Sequence, residues 1–353
     1  MRRWRIGMKW GVIAWTCLAA PLPAAAQAQT ETKAEAKIPT REVVDETGRR
    51  VKIPVEVRRI VSLAPNLTEI IYALGAEDRL VGVSAFSDKP AAAKDKPRIG
   101  MPMNPSLEAI AGMKPDLVLA TAINRWETAD ALRDMGIAVY GVEPHTVEET
   151  LESITHIGDV IGAEEEARTA VATLQQKLDA LKAKLAGDAP KRVLFVVWED
   201  PLITIGQRTF IADAMRWAGA ESVVKTRQDW PQVSLEEIVR LEPDYIVYAE
   251  SGADSAEGIA AAVREHLQEL RERHGWRNLK AIQEGRVAVV SDDVNLPAPG
   301  LIDAIEQLAR QIHPEAFAKN APAPATVKNF EKLASERTGA WRYSTGEEIA
   351  CGR

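Results

Sequence analysis

The chain has 353 residues, of which 46% are hydrophobic and only 5% aromatic, and a formal net charge of −7. That length exceeds one comfortable core and favours two domains. The acidic balance argues against nucleic acid or an anionic membrane surface as a partner.

Arg2, Arg3, Arg5 and Lys9 precede a short apolar run from Trp10 to Pro21. Pro23-Ala24-Ala25-Ala26-Gln27-Ala28 then offers small residues for cleavage after Ala26 or Ala28. The pattern predicts a cleavable secretory signal peptide over 1–28, too short and wrongly flanked for a transmembrane anchor. Ala14-Trp15-Thr16 is a poor context for lipid attachment at Cys17. Loss of 1–28 removes four positive charges and no negative ones, so −7 becomes −11. It also leaves Cys351 alone, without a partner for an internal disulfide.

Residues 29–40 are polar and rich in Ala, Lys and Glu, and read as a disordered N-terminal segment. Arg41 to Pro54 reads as a hairpin turning at Thr47-Gly48, and Arg59 to Leu63 as a strand ending at Ala64-Pro65-Asn66. A helix over Thr68–Leu74 stops at Gly75. Strands follow at Leu80–Ser84, Leu117–Ala120 and Ile137–Val142. Strands alternating with helices predict an α/β lobe, with a parallel sheet, over 41–162. Residues 163–187 place apolar side chains at Val171, Leu174, Leu178, Leu181 and Leu185, which is helical spacing. This is expected to be one long interdomain helix. Arg192–Trp198 opens a second lobe over 188–320, with a helix at Phe210–Ala218, strands at Tyr245–Ala249 and Arg286–Val290, and a closing helix at Leu301–Ile312. The tail, 321–353, receives no assignment.

A repeat links the two lobes. Ser106-Leu107-Glu108-Ala109-Ile110, then Lys114-Pro115-Asp116, returns as Ser234-Leu235-Glu236-Glu237-Ile238, then Glu242-Pro243-Asp244. The offset is 128 residues throughout, with six identities. Each copy reads as a Ser-capped short helix, a Pro-Asp turn and a buried strand. Two lobes that each present a glutamate at the same place suit a protein that closes on a ligand and offers a paired acidic surface to a partner.

No phosphate-binding glycine loop, nucleophile elbow or zinc-type His-Glu-x-x-His helix occurs. The five histidines (His145, His156, His266, His274 and His313) show no metal-ligand spacing. Aromatic residues gather where strands end: Phe86, Trp126, Trp198 and Trp230. Ligands of open α/β sheets bind beyond the carboxyl ends of the strands, and flat rings there suit a large, partly apolar ligand.

The motifs Ile60-Val61-Ser62-Leu63-Ala64-Pro65-Asn66-Leu67-Thr68-Glu69, Lys114-Pro115-Asp116-Leu117-Val118, Gly206 with Thr209-Phe210-Ile211, and Ala218-Gly219-Ala220 together resemble the periplasmic solute-binding proteins of ABC importers for vitamin B12, ferric siderophores and haem. The resemblance implies two Rossmann-like lobes with parallel sheets joined by one long α-helix, a periplasmic location, no catalysis, no resident cofactor and no bound metal. It implies a monomer whose partners are a small molecule and an ABC importer permease, with Glu108 and Glu236 docking on permease arginines. Trp230-Pro231-Gln232-Val233-Ser234 and Val83-Ser84-Ala85-Phe86-Ser87-Asp88 are most similar to the vitamin B12 binders. Two tryptophans of those binders are replaced here by the Gly100–Met103 and Ala120-Thr121 regions. On this reading the ligand is cobalamin, touched by Asn66, Phe86, Met101, Met103, Arg125, Trp126, Trp198, Arg208, Trp230, Gln232 and Asp292. Asn295 is a further hydrogen-bonding edge. A ferric siderophore, drawn by Arg125, Arg208 and Arg227, or haem stands as the alternative within the family. An exported two-lobed enzyme or a zinc carrier stands outside it.

Overall fold

In the computed structural model, which describes residues 39–318, the chain opens on an antiparallel hairpin of β1 (Thr40–Val44) and β2 (Arg50–Pro54). The signal-peptide stretch, most of the segment 29–40, the tail from 321, Cys17 and Cys351 lie outside the described residues. Asp45 closes the hairpin turn: its Oδ1 accepts from Thr47 N and Arg49 N, at 3.1 and 2.9 Å. There follow β3 (Ile60–Ser62), α1 (Pro65–Ala73), β4 (Leu80–Val83), the small hairpin β5 (Gly100–Met101) and β6 (Asn104–Pro105), α2 (Leu107–Gly112), β7 (Leu117–Thr121), α3 (Trp126–Asp134), β8 (Val139–Val142) and α4 (Val147–Ile161). β4, β3, β7 and β8 lie side by side in that order, all parallel.

After α5 (Glu164–Lys184) come β9 (Lys191–Val196), the hairpin β10 (Trp198–Glu199) and β11 (Leu202–Ile203), α6 (Phe210–Trp217), β12 (Ala220–Ser222), α7 (Leu235–Leu241), β13 (Tyr245–Glu250), α8 (Ala256–Glu272), α9 (Lys280–Gln283), β14 (Val287–Ser291), α10 (Gly300–Ile312) and α11 (Pro314–Ala318). The second parallel sheet runs β12-β9-β13-β14. Both sheets therefore share one topology, in which the first strand lies between the second and third. Each has its switch point between the first and third strands, where an open α/β sheet offers a crevice.

Alternate residues of each strand point to opposite faces, and both faces of both sheets are buried. In lobe one, Ile60, Leu117, Leu119, Tyr140 and Val142 face one apolar cluster, whereas Val61, Val118, Ala120 and Val139 face another. In lobe two, Val193, Phe195, Val247, Ala288 and Val290 join the first cluster, whereas Leu194, Val196, Ile246, Tyr248, Val287 and Val289 face a third. One continuous core thus serves the inner faces of both sheets, and α1, α4, α5, α6 and α10 contribute to it. The described residues form one compact unit.

α5 is the long element of this middle layer. Glu164, Glu165 and Glu166 lie in its first turn and Lys182 and Lys184 in its last, both favourable to the helix dipole. Leu174, Leu178 and Leu181 are its buried stripe, and Lys177 and Lys184 reach Asp303 and Glu306 of α10. Five helices of the structure, α3, α4, α8, α9 and α11, have no counterpart in the sequence reading. α4 buries Val147, Leu151, Ile154, Ile157 and Ile161 at helical spacing, interrupted by Thr150, Ser153 and Gly158 on the same face, whereas α8 buries only Leu270.

Because the lobes share a core, thermal unfolding should be one cooperative transition for both. Leu178→Ala removes a fully buried side chain from the shared cluster and should cost about 2–5 kcal/mol while keeping that single transition. Calorimetry that resolved two separately melting lobes would contradict this.

Candidate functional site

Seven of the eleven large apolar side chains exposed among the described residues sit in loops, turns or small hairpins outside the two four-stranded sheets: Phe86, Met101, Met103, Ile123, Val197, Trp198 and Trp230. Scattered exposed apolar residues need no explanation, but a collection on these loops does. Phe86 is 57% exposed, Trp198 62% and Trp230 50%.

In lobe one the wall is tied from beneath. Asn124, fully buried, donates from Nδ2 to the carbonyls of Leu63 and Pro102 at 2.8 and 3.0 Å, and its Oδ1 accepts from Thr121 N at 2.7 Å. It thereby joins the end of β3, the methionine hairpin and the Ile123 turn. Ala85 N donates to Gly100 O at 2.8 Å, which attaches the Phe86 loop to the same hairpin. Under that loop, buried Thr68 lies 2.8 Å from Ser62 Oγ and 2.9 Å from Ser87 Oγ. Asn124 escaped the sequence reading, although Thr121 and Asn124 have capping-box spacing.

In lobe two, Gly206 N donates to Asp229 O at 2.8 Å, and a Cβ on Gly206 would stand 1.9 Å from the Gln228 carbonyl oxygen. Only glycine permits that approach, and it brings the Trp230 loop onto the segment after β11. A cavity of about 480 Å³ opens there, lined by Val197, Arg208, Phe210, Asp229, Trp230 and Asn295 of lobe two and by His145 of lobe one. Of the sequence-predicted residues, Arg208, Trp230 and Asn295 meet in this cavity. Trp198 and Gln232 are exposed on the adjoining hairpin and bridge. His145 is one of the five histidines that show no metal-ligand spacing in the sequence. Among the described residues its ring has no hydrogen-bond partner, whereas His156, His266 and His313 engage Glu46, Glu250 and Gly219 O.

The remaining predicted residues stand elsewhere. Trp126 is half-buried and packs on lobe one's outer core as the first residue of α3. Arg125 before it is exposed, with φ of +59°. Asn66 is buried in the first turn of α1 and its Nδ2 has no partner. Asp292 accepts from Ser251 Oγ at 2.6 Å and belongs to a polar cluster that spans the lobes. At its centre Lys89, from the Phe86 loop, reaches Asp254 at 2.8 Å, Asp293 at 2.9 Å and Asp292 at 3.7 Å. Burial opposes the Lys89 charge, but the Asp254 and Asp293 carboxylates prevail and hold its pKa above the ordinary value. Nearby, Glu69 Oε1 accepts from Gly300 N at 2.5 Å, another bond between lobes. Between α4 and α6, Val147 N donates to Asp213 Oδ2 at 2.8 Å.

The repeat is a repeat of structure. Ser106 and Ser234 cap α2 and α7 by accepting from Ala109 N and Glu237 N. Lys114 and Glu242 end them with φ of +47° and +45°. Asp116 and Asp244 accept from the backbone N–H groups of Arg59 and Arg192, at 2.9 and 2.8 Å. Those arginines return bonds to Met113 O and Leu241 O, the last helix carbonyls. Glu108 and Glu236, both in first turns, are exposed and make no ion pair among the described residues.

Residues 60–294 match the periplasmic binding protein family. The chain belongs to that family and is one of its solute-binding proteins. An uncharacterized ABC transporter substrate-binding lipoprotein of Bacillus subtilis is 33% identical over 300 residues, covering 82% of this chain and 91% of the relative. A vitamin B12-binding protein of Vibrio parahaemolyticus is 30% identical over 251 residues, covering 70% and 87%. The solved periplasmic haem-binding protein BhuT superposes with a TM-score of 0.63 at 25% identity, covering 73% of this chain and 98% of BhuT. No helix among the described residues is long and apolar enough to cross a membrane.

Burial lifts the Glu69 carboxyl to about 7, against the Gly300 N–H, which favours its charge; Asp293 adds to the rise. A raised value means that the folded state prefers the protonated form. The stability contributed by Glu69 is therefore full at acidic pH and is lost as pH rises through about 7. Glu69→Gln keeps an acceptor for Gly300 and should gain in melting temperature relative to the parent between about pH 5 and about pH 8. An equal difference at both pH values would refute this.

Proposed function

We propose that this chain is the exported solute-binding subunit of an ABC importer and that its cargo is a corrinoid. The observation that carries the reading is the pair of apolar walls at the strand ends: Phe86, Met101, Met103 and Ile123 in lobe one, Val197, Trp198 and Trp230 in lobe two. A corrinoid is a broad ring with many neutral amides, and it needs flat apolar surface with hydrogen-bonding edges. Arg208, Asp229, Asn295 and Gln232 offer such edges beside the lobe-two wall. Similarity to a vitamin B12-binding protein supports the same choice. The unengaged imidazole of His145, together with the haem-binding neighbour, keeps haem as the second reading. Titration of intrinsic tryptophan fluorescence with cobalamin, haem and a ferric siderophore separates the three. Saturation by cobalamin at one molecule per chain is expected, and saturation by one of the others alone would replace the corrinoid. Trp230→Ala should weaken cobalamin binding by about 1–3 kcal/mol, read by calorimetry.

Glu108 and Glu236 are the proposed docking points on the permease. Exposed carboxylates contribute little to folding, and charge-assisted pairs with arginine at two separated points would set both orientation and affinity. Glu108→Arg with Glu236→Arg should leave melting temperature and cobalamin affinity nearly unchanged and abolish uptake in cells carrying the cognate importer. Normal uptake by the double variant, or lost ligand binding, would remove the docking role.

A further inference from the structure

The two exposed tryptophans of lobe two belong to one hydrogen-bonded unit. Trp198 on β10 pairs with Ile203 on β11, and Ile203 bridges to Gln232. Thr204 N donates to Pro231 O at 3.1 Å and Val233 N to Leu202 O at 3.0 Å, so the Trp230 segment runs along the hairpin. Leu202 gives the hairpin an apolar root in the outer core. Its charged tie to the body of the lobe is Glu199. One carboxylate oxygen accepts from the Tyr248 hydroxyl at 3.0 Å and the other from Arg273 Nη1 at 2.6 Å.

Both partners are themselves held. Tyr248 is buried in the outer core and stacks on His266, with ring centroids 3.8 Å apart and planes 11° from parallel; His266 pairs with Glu250. Arg273 ends α8, lies 5.5 Å from the ring centre of buried Trp276 and reaches Glu269 at 3.8 Å. Burial first, and the Glu199 charge second, keep the Tyr248 phenol protonated and able to donate. The Glu199 and Arg273 side chains are about one-third exposed (33% and 32%). A pair so wet adds little stability, and apolar packing could replace it without loss. What two different donors on two oxygens do supply is direction.

We infer that Glu199 is a positioning residue for the ligand-binding wall: it fixes the hairpin that carries Trp198, and through it the Trp230 segment, against β13 and α8. A binding surface is only as well aimed as the shell behind it. The ligand readout of this inference rests on the corrinoid reading; its geometric content does not.

Two measurements on Glu199→Leu and Glu199→Gln test it. In unliganded protein, hydrogen exchange at Val197, Thr204 and Val233 amides should quicken about tenfold in Glu199→Leu, with β13 amides unchanged. Glu199→Gln, which keeps an acceptor for Tyr248, should fall between. Cobalamin affinity should drop roughly tenfold in Glu199→Leu, and that drop should vanish when Trp198 and Trp230 are both already alanine. Arg273→Gln attacks the same joint from its other end and replaces Glu199→Leu if that variant does not fold. Unchanged exchange at the three amides, or affinity losses that simply add to those of the tryptophan changes, would overturn the inference. If the parent protein binds no cobalamin, the corrinoid reading falls while the exchange result still decides whether Glu199 fixes the wall.

Discussion

The apolar cluster shared by both sheets is the constraint on which the other features depend. Each sheet buries one face against its own outer cluster and the other against a common layer of α1, α4, α5, α6 and α10. Moving one lobe far from the other would expose the side chains of that layer, at about 25 cal/mol for every Å² uncovered. Three polar connections accompany the apolar seam: Lys89 with its aspartates, Glu69 with Gly300, and Asp213 with Val147. The arrangement is that of two sheets built on one foundation, and ligand entry must be accommodated by the strand-end loops more than by the lobes.

Those loops are accordingly held largely by polar groups, because most of their large apolar side chains point outward. Lobe one employs a single buried amide, Asn124, to gather three segments. Lobe two employs a backbone contact that only Gly206 allows and the carboxylate of Glu199. A buried amide that is fully satisfied specifies its neighbours' positions closely, since leaving any of its bonds unmade is costly.

Much of this was legible in the chain. The hairpin at Thr47-Gly48, the core strands, the helix beginning near Glu164 and the duplicated Ser-Leu-Glu motif follow from periodicity, caps and turn chemistry. The exposed aromatics at Phe86, Trp198 and Trp230 were legible because they break the apolar-inside pattern where strands end. Trp126 obeyed the same sequence rule yet turned inward, since it opens α3 and meets lobe one's outer core. Asp292 looked like a free edge in the sequence, but Lys89, 203 positions earlier, draws it into the cluster between lobes. Glu69, Asn124 and Glu199 gain their roles from partners far away in the chain, and no local pattern encodes such a partner.

The duplicated Arg–Pro-Asp clasp has a consequence for how a loaded carrier could be told from an empty one. Arg59 with Asp116, and Arg192 with Asp244, bolt the carboxyl end of each short helix to the amino end of a sheet, while its first turn lies beside the methionine hairpin in lobe one and the Trp230 segment in lobe two. Glu108 and Glu236 therefore ride on the two sheets themselves, and the sheets are fixed to one foundation. The spacing of these carboxylates is thus tied to the core that both sheets share. A partner gripping the protein at those two points, as proposed above, would hold a spacing set by the common core. News of the cargo would reach those points through the strand-end loops that run directly into the two helices.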